Sequence, residues 1–236
     1  AQAYRFDIIV LVHPNNPDGQ RWPREQLLEL HARLAARGGW LIVDEAFIDS
    51  DPKHSVAALS AQPGLIVLRS LGKFFGLAGA RVGFVLAEAE LRERLREQLG
   101  PWTLSGPARF VAAAALRDRH WQVLQRTRLQ QAAQRLAISL RDAEFSGDGG
   151  CALFQWARLA NAAAIHHALA AQGVLVRRFE APSSLRFGLP RDANDEQRLR
   201  VALHACPRPI MAPAAAGFAA VSPDAINTLH TEAAAS

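Results

Sequence analysis

Lys73 stands in the stretch VLRSLGKFFGLAGARVGF, residues 67–84, between apolar runs, with Ser70 three positions before it and Arg81 eight after. An amine held among apolar residues has its charged form destabilised. That frees it as a nucleophile, and an aldehyde is its natural electrophile. Two further polar features come earlier, Asn15-Asn16 in HPNNPDG and Asp44 in LIVDEAF. Each has an ordinary structural explanation when taken alone. An Asn-Pro pair makes a turn, an Asp closing a strand makes a cap, an Arg opening a strand makes an ion pair, and a lysine can snorkel. Together they follow consecutive apolar runs at the places where ligands of doubly wound sheets collect.

The elements that must position them can be read from the same pattern. DIIVLV, residues 7–12, is a continuous apolar run ending in turn formers, and a helix should begin near Pro23 and stop at Gly38-Gly39. WLIVDEAF, GLIVLRS and RVGFVLA are further short runs suited to strands buried on both faces. The alternation predicts an α/β fold with a mostly parallel sheet and helices on both faces. After Gly100 the pattern changes to two helices over 105–118 and 120–143, the break SGDGG, and a strand-like CALFQWARL. A helix near 161–172, strands in GVLVRRF and SLRFGLP, and a helix from about 192 complete a smaller α+β unit. The expected division is 1–120 as part of a large domain and 121–206 as a small C-terminal domain. The Pro- and Ala-rich 207–236 reads as a poorly ordered tail.

Composition narrows the function classes. The chain of 236 residues carries a net charge of +5, but its basic residues alternate with acids on helical stretches such as LRERLREQ. That pattern reads as solvated faces and argues against a nucleic-acid surface. Cys151 and Cys206 lack metal-ligand spacing, which points away from zinc or a disulfide framework and toward a reducing, cytoplasmic setting. No apolar run nears the roughly 18 residues that span a membrane. His166-His167 are adjacent on a helix and face different ways, so no metal is expected there. Glu45 should point to the face opposite Asp44, which disfavours a paired-carboxylate site.

If the aldehyde belongs to pyridoxal phosphate, the remaining residues acquire roles. Asp44 would keep the pyridine nitrogen protonated. Ser70 and Arg81 would hold the phosphate, and an amide of Asn15-Asn16 would donate to the ring oxygen. HPNNPDG, VDEAF and SLGKFFGLAGARVGF resemble the signatures of the fold-type I, aspartate-aminotransferase-like enzymes of the class I and II aminotransferase family. The resemblance covers residues 5 to 205 and implies that Lys73 is the Schiff-base lysine and Asn16 the ring-oxygen donor. It also implies that Arg186, in SLRFGLP, holds a substrate α-carboxylate and that the complete enzyme is a homodimer.

Many family members carry a tyrosine three positions after the aspartate, whereas this chain has Phe47, which cannot donate a hydrogen bond. DEAFID, LRSLGKFFGLAGAR and PWTLSGPA look closest to the L-threonine-O-3-phosphate decarboxylases of cobalamin biosynthesis, relatives of the histidinol-phosphate aminotransferases. The resemblance implies conversion of L-threonine O-3-phosphate to (R)-1-amino-2-propanol O-2-phosphate and carbon dioxide. A histidinol-phosphate-type aminotransferase, or an inactive fragment of either, is the alternative. Arg177, in GVLVRRF, is a second candidate for substrate binding, against a plain surface residue beside Arg178. The opening AQAYRFDIIV enters a strand almost at once and reads as an interior position of a longer sequence. Such a stretch alone is expected to bind pyridoxal phosphate weakly or not at all.

Overall fold

A computed structural model describes residues 7–145 and 147–212. These form two compact units. The first contains residues 7–14 and Arg21–Arg117; the second contains Asn15–Gln20 and the described residues of 118–212.

In the first unit, β1 (Ile8–Val12), β2 (Trp40–Asp44), β3 (Leu65–Ser70) and β4 (Gly83–Leu86) form one sheet in that order. β1, β2 and β3 are parallel, and β4 returns antiparallel to β3. Helix α1 (Arg24–Ala35) begins after Pro23, and the chain turns at Gly38, whose φ is 74°. Leu27, Leu30 and Leu34 recur at helical spacing and pack on Leu41, Val43, Leu65 and Val67, which alternate along β2 and β3. The opposite face carries Ile8, Val10 and Val85, all exposed among the described residues. Helices α2 (Ala89–Leu99) and α3 (Gly106–Arg117) close the unit's sequence.

The second unit begins its main run with α4 (Arg119–Asp142), capped by Asp118, whose carboxylate accepts from the Trp121 N–H at 2.9 Å. β5 (Gly149–Cys151), β6 (Phe154–Arg158), β8 (Ser184–Gly188) and β7 (Arg177–Phe179) form an antiparallel sheet in that spatial order. α5 (Ala162–Ala171) and α6 (Ala193–His204) complete the unit. Strand alternation sends Ala157, Leu185 and Phe187 to one face, where they meet Leu136, Leu140, Ile165, Leu169 and Leu199 in a single core. Phe154, Trp156, Arg158, Arg186, Arg177 and Phe179 fall on the other face by the pairing register.

Residues 207–212, expected to begin a poorly ordered tail, are tied to this unit. Met211 bridges Leu159, the Ala160 N–H donates to the Ile210 carbonyl at 2.7 Å, and Asn161 bonds both Arg208 and Ile210. Backbone pairing holds this segment where composition alone suggested none. Residues 213–236 of the expected tail, and residues 1–6, lie outside the described residues. Among the described residues, no helix is long and apolar enough to cross a membrane. None of their His, Cys, Asp or Glu residues gather in a group that could hold a metal ion.

Candidate active site

Asp44 closes β2 and Ser70 closes β3, so both sit at carboxyl ends of parallel strands. The half-buried Asp44 accepts the Ala46 N–H on Oδ1 at 2.9 Å. Its Oδ2 has no partner among the described residues. Ser70 Oγ accepts the Gly72 N–H at 3.1 Å, which leaves its own hydrogen free to donate.

The antiparallel return of β4 brings Arg81 to the same edge, because Ser70 pairs with Gly83 and the Leu71 N–H bonds the Val82 carbonyl. Ser70, Gly72, Ala78 and Arg81 surround a cleft of about 170 Å³. A Cβ on Gly72 would lie 3.3 Å from Ser70 Oγ and 3.4 Å from the Ala78 backbone, so a side chain there would crowd the cleft. Arg81 has φ 54° and ψ 42°, the left-handed conformation that costs a non-glycine residue about 1–2 kcal/mol. Strain of this kind concentrates at functional sites.

Lys73 departs from its expected setting. It is exposed, while Leu71, Phe74 and Phe75 carry the burial of the segment. The reason is that 71–77 is a loop, in which inward and outward positions need not alternate, and the apolar neighbours turn away from the amine. Its Nζ lies 5.4 Å from the centre of the Phe47 ring, which is itself buried. A Cβ placed on Gly76 or Gly79 would meet nothing within 4 Å, and Gly76 supplies a φ of 68°.

Asn16 belongs to the second unit. It sits in a turn closed by the Asn15 N–H to Gln20 carbonyl bond and by Asp18, which accepts from Asn15 Nδ2 and Gln20 N. This turn is seated backbone to backbone on β5: a Cβ on Gly19 would lie 2.1 Å from the Gly150 oxygen, and one on Gly149 would lie 2.2 Å from the Asp18 oxygen. Arg186 donates from Nη1 to Asn16 Oδ1, which orients the amide and leaves Nδ2 to donate elsewhere.

The Arg186 guanidinium also lies 5.0 Å from the Phe154 ring centre and 5.9 Å from that of Phe179. Arg177 is the direct cross-strand partner of Arg186, and its guanidinium also lies over Phe179, at 5.8 Å. Like charges placed opposite each other on a sheet repel. Burial first, and the Arg177 charge second, lower the pKa of Arg186. Phe154 and Phe179 were not singled out by sequence reasoning, although their alternation with Trp156 and Arg177 was a usable signal. A larger cleft of about 320 Å³, lined by Val174, Val176, Phe187 and Leu199, contains none of the candidate residues.

The motifs and their strand-end placement match one protein family, with the family model covering residues 1–206. The chain belongs to the class I and II aminotransferases. It is 54% identical over 198 residues to a threonine-phosphate decarboxylase of Pseudomonas aeruginosa, covering 84% of this chain and 60% of that protein. A threonine-phosphate decarboxylase of Sinorhizobium sp is 40% identical over 198 residues, 83% of this chain and 59% of the relative. The histidinol-phosphate aminotransferase of Sinorhizobium meliloti, solved in complex with pyridoxal-5'-phosphate, superposes with a TM-score of 0.73 at 25% identity. That match covers 84% of this chain and 56% of the solved one. This aminotransferase-family chain thus spans about 60% of the length of these two decarboxylases.

Proposed function

We propose that this chain carries the cofactor- and substrate-binding residues of a pyridoxal-phosphate-dependent L-threonine O-3-phosphate decarboxylase acting in cobalamin biosynthesis. The first unit is then the large cofactor domain and the second the small domain. The residues fit the cofactor. The 170 Å³ cleft at Ser70 and Arg81, which a Gly72 side chain would crowd, suits a phosphate. Asp44 Oδ2 is open to a ring N–H among the described residues. When bound, pyridoxal phosphate supplies an aldehyde for amines and a protonated ring that accepts the electron pair left at the substrate Cα.

The chain's own residues do the rest. Ser70 donates its hydroxyl hydrogen to the phosphate and Arg81 adds a charged fork. Asp44 keeps the ring nitrogen protonated, and Lys73 offers the amine. Asn16 donates from Nδ2 to the ring oxygen, its amide held in that sense by Arg186. Phe47 offers a ring face to Lys73 but no hydrogen bond, so Asn16 is the donor to that oxygen.

The observation that carries the substrate class is the cross-strand pair of Arg177 and Arg186 on one face. Two opposed guanidinium groups suit a ligand with two anionic groups, here a carboxylate and a phosphate. A guanidinium that fixed the substrate carboxylate would orient the Cα–carboxylate bond, and that orientation would favour loss of carbon dioxide over loss of the Cα proton. The 54% identity to a threonine-phosphate decarboxylase supports this choice over histidinol-phosphate amino transfer. A homodimeric, cytoplasmic enzyme is part of the same reading. The family resemblance supports the dimer, and Cys151 and Cys206, far apart in sequence and without metal-ligand spacing, support the compartment.

The test incubates the full-length protein with saturating pyridoxal phosphate and O-phospho-L-threonine, then measures carbon dioxide and, after borohydride reduction, cofactor trapped on Lys73. Carbon dioxide release without any 2-oxo acid is the expected result. Amino transfer to 2-oxoglutarate would assign the aminotransferase reaction instead. Absence of both, with no label on Lys73, would leave an inactive chain.

A further inference from the structure

Directly behind the strand ends lies a polar cluster that none of these roles uses. Glu45 follows Asp44, and Arg69 precedes Ser70, so alternation turns both toward the α1 face, in line with Val43 and Val67. Glu45 is fully buried. Its carboxylate accepts from Ser55 Oγ at 2.6 Å, the Val56 N–H at 2.7 Å and Arg69 Nη1 at 3.1 Å. The other arm of the Arg69 fork, Nη2, pairs with the Asp49 carboxylate. Nη1 also donates to Ser55 Oγ at 3.3 Å, so a single guanidinium ties the end of β3 to three points of the 45–56 segment, which leads away from β2. Burial pushes the pKa of Glu45 up, opposed by the Ser55, Val56 and Arg69 contacts, so the cluster depends on those partners.

We propose that Arg69 is a positioning residue that locks, from the α1 face, the spacing of Asp44, Ser70 and Phe47. The geometry follows from adjacency. Fixing Glu45 fixes Asp44, fixing Arg69 fixes Ser70, and Phe47 lies between the two tethered carboxylates, Glu45 and Asp49. The Phe47 ring in turn underlies the Lys73 amine at 5.4 Å. A planar fork can hold two carboxylates at once, whereas an ammonium is a single point charge. Lysine at this position keeps the charge and loses the two-handed grip. The importance of the spacing rests on the cofactor reading above; the lock itself does not.

The experiment compares the full-length parent protein with Arg69→Lys and Arg69→Met by two measurements. Hydrogen–deuterium exchange follows the amides of 45–50 and 70–77, with α1 and α5 as internal references. Borohydride trapping at saturating pyridoxal phosphate then counts cofactor on Lys73. For Arg69→Lys we expect at least tenfold faster exchange in 45–50 and 70–77, unchanged exchange in α1 and α5, and at least a tenfold loss of trapping at Lys73. Exchange in those two segments that matches the parent overturns the lock. Trapping that stays at parental level despite faster exchange overturns its positioning role. If the parent itself traps no cofactor, the functional reading fails and the exchange data alone decide the lock. Should Arg69→Met fail to fold, Arg69→Lys carries the comparison.

Discussion

A methyl group added at Gly149 measures how tightly the turn at 15–20 is seated on β5. The new Cβ would lie 2.2 Å from the Asp18 carbonyl oxygen, where real Cβ contacts essentially never fall under 3.0 Å. Backbone atoms cannot rotate aside, so the turn or the strand must retreat, at an overpacking cost of about 1–3 kcal/mol. Gly19 adds a second cost. Its Cβ would lie 2.1 Å from the Gly150 oxygen, and its φ of 72° is one that side chains avoid, by about 1–2 kcal/mol. Gly173, in the same unit, isolates that second cost: its φ is 73°, but the nearest atom is the end of the Arg198 side chain at 3.4 Å. Guanidinium unfolding should therefore rank the losses as about 1–2 kcal/mol for Gly173→Ala, about 1–3 for Gly149→Ala and about 2–5 for Gly19→Ala. On the proposed role of Asn16, which this turn carries, Gly149→Ala should also weaken cofactor binding, and Gly173→Ala should not. A Gly149→Ala protein as stable as the parent, or a Gly19→Ala protein no worse than Gly173→Ala, would refute the docked turn.

Two further outcomes follow from the same geometry. On its proposed role, replacing Arg186 by Gln removes a charge-assisted contact to an anion, so affinity for O-phospho-L-threonine, read by titration, should fall by about 1.5–3 kcal/mol, with affinity for 1-amino-2-propanol, which carries neither anionic group, unchanged. Equal loss for both compounds would mean that Arg186 serves the fold and not the anion. His13 is fully buried, accepts the Trp22 N–H on Nδ1 at 3.2 Å and lies 3.2 Å from the His54 carbonyl through Nε2, an arrangement suited to a neutral ring. Burial, with the nearby His54 and Arg21 charges, lowers its pKa below the ordinary 6.5. Its contribution to stability is therefore complete above about pH 6.5 and is lost as pH falls through the lowered folded value. Unfolding free energies between pH 7.5 and 5 should decline in the parent and decline less in His13→Gln; parallel slopes would rule His13 out as the cause.

The strands, helices and strand-end residues were largely legible because they rest on local physics. Apolar runs of five or six residues, a proline opening α1 and glycines beyond its end are properties of neighbouring positions. Asp44 and Ser70 end their strands because the polar residue comes where the apolar run stops, and the class I and II aminotransferase motifs are local strings as well. What the string could not carry was decided by positions far apart in sequence. Lys73 looked embedded because apolar neighbours flank it, but in a loop those neighbours turn inward and leave the amine exposed. Arg177 and Arg186 became a pair only through the β7–β8 register, and Arg186 reached Asn16 across 170 positions. The turn at 15–20 found its place on Gly149 and Gly150 because only absent side chains allow two backbones to come that close. Arg69 and Glu45 met because adjacent parallel strands sent both to the same face. A sequence lists the groups available for chemistry; strand register, side-chain direction and close backbone packing settle which of them meet.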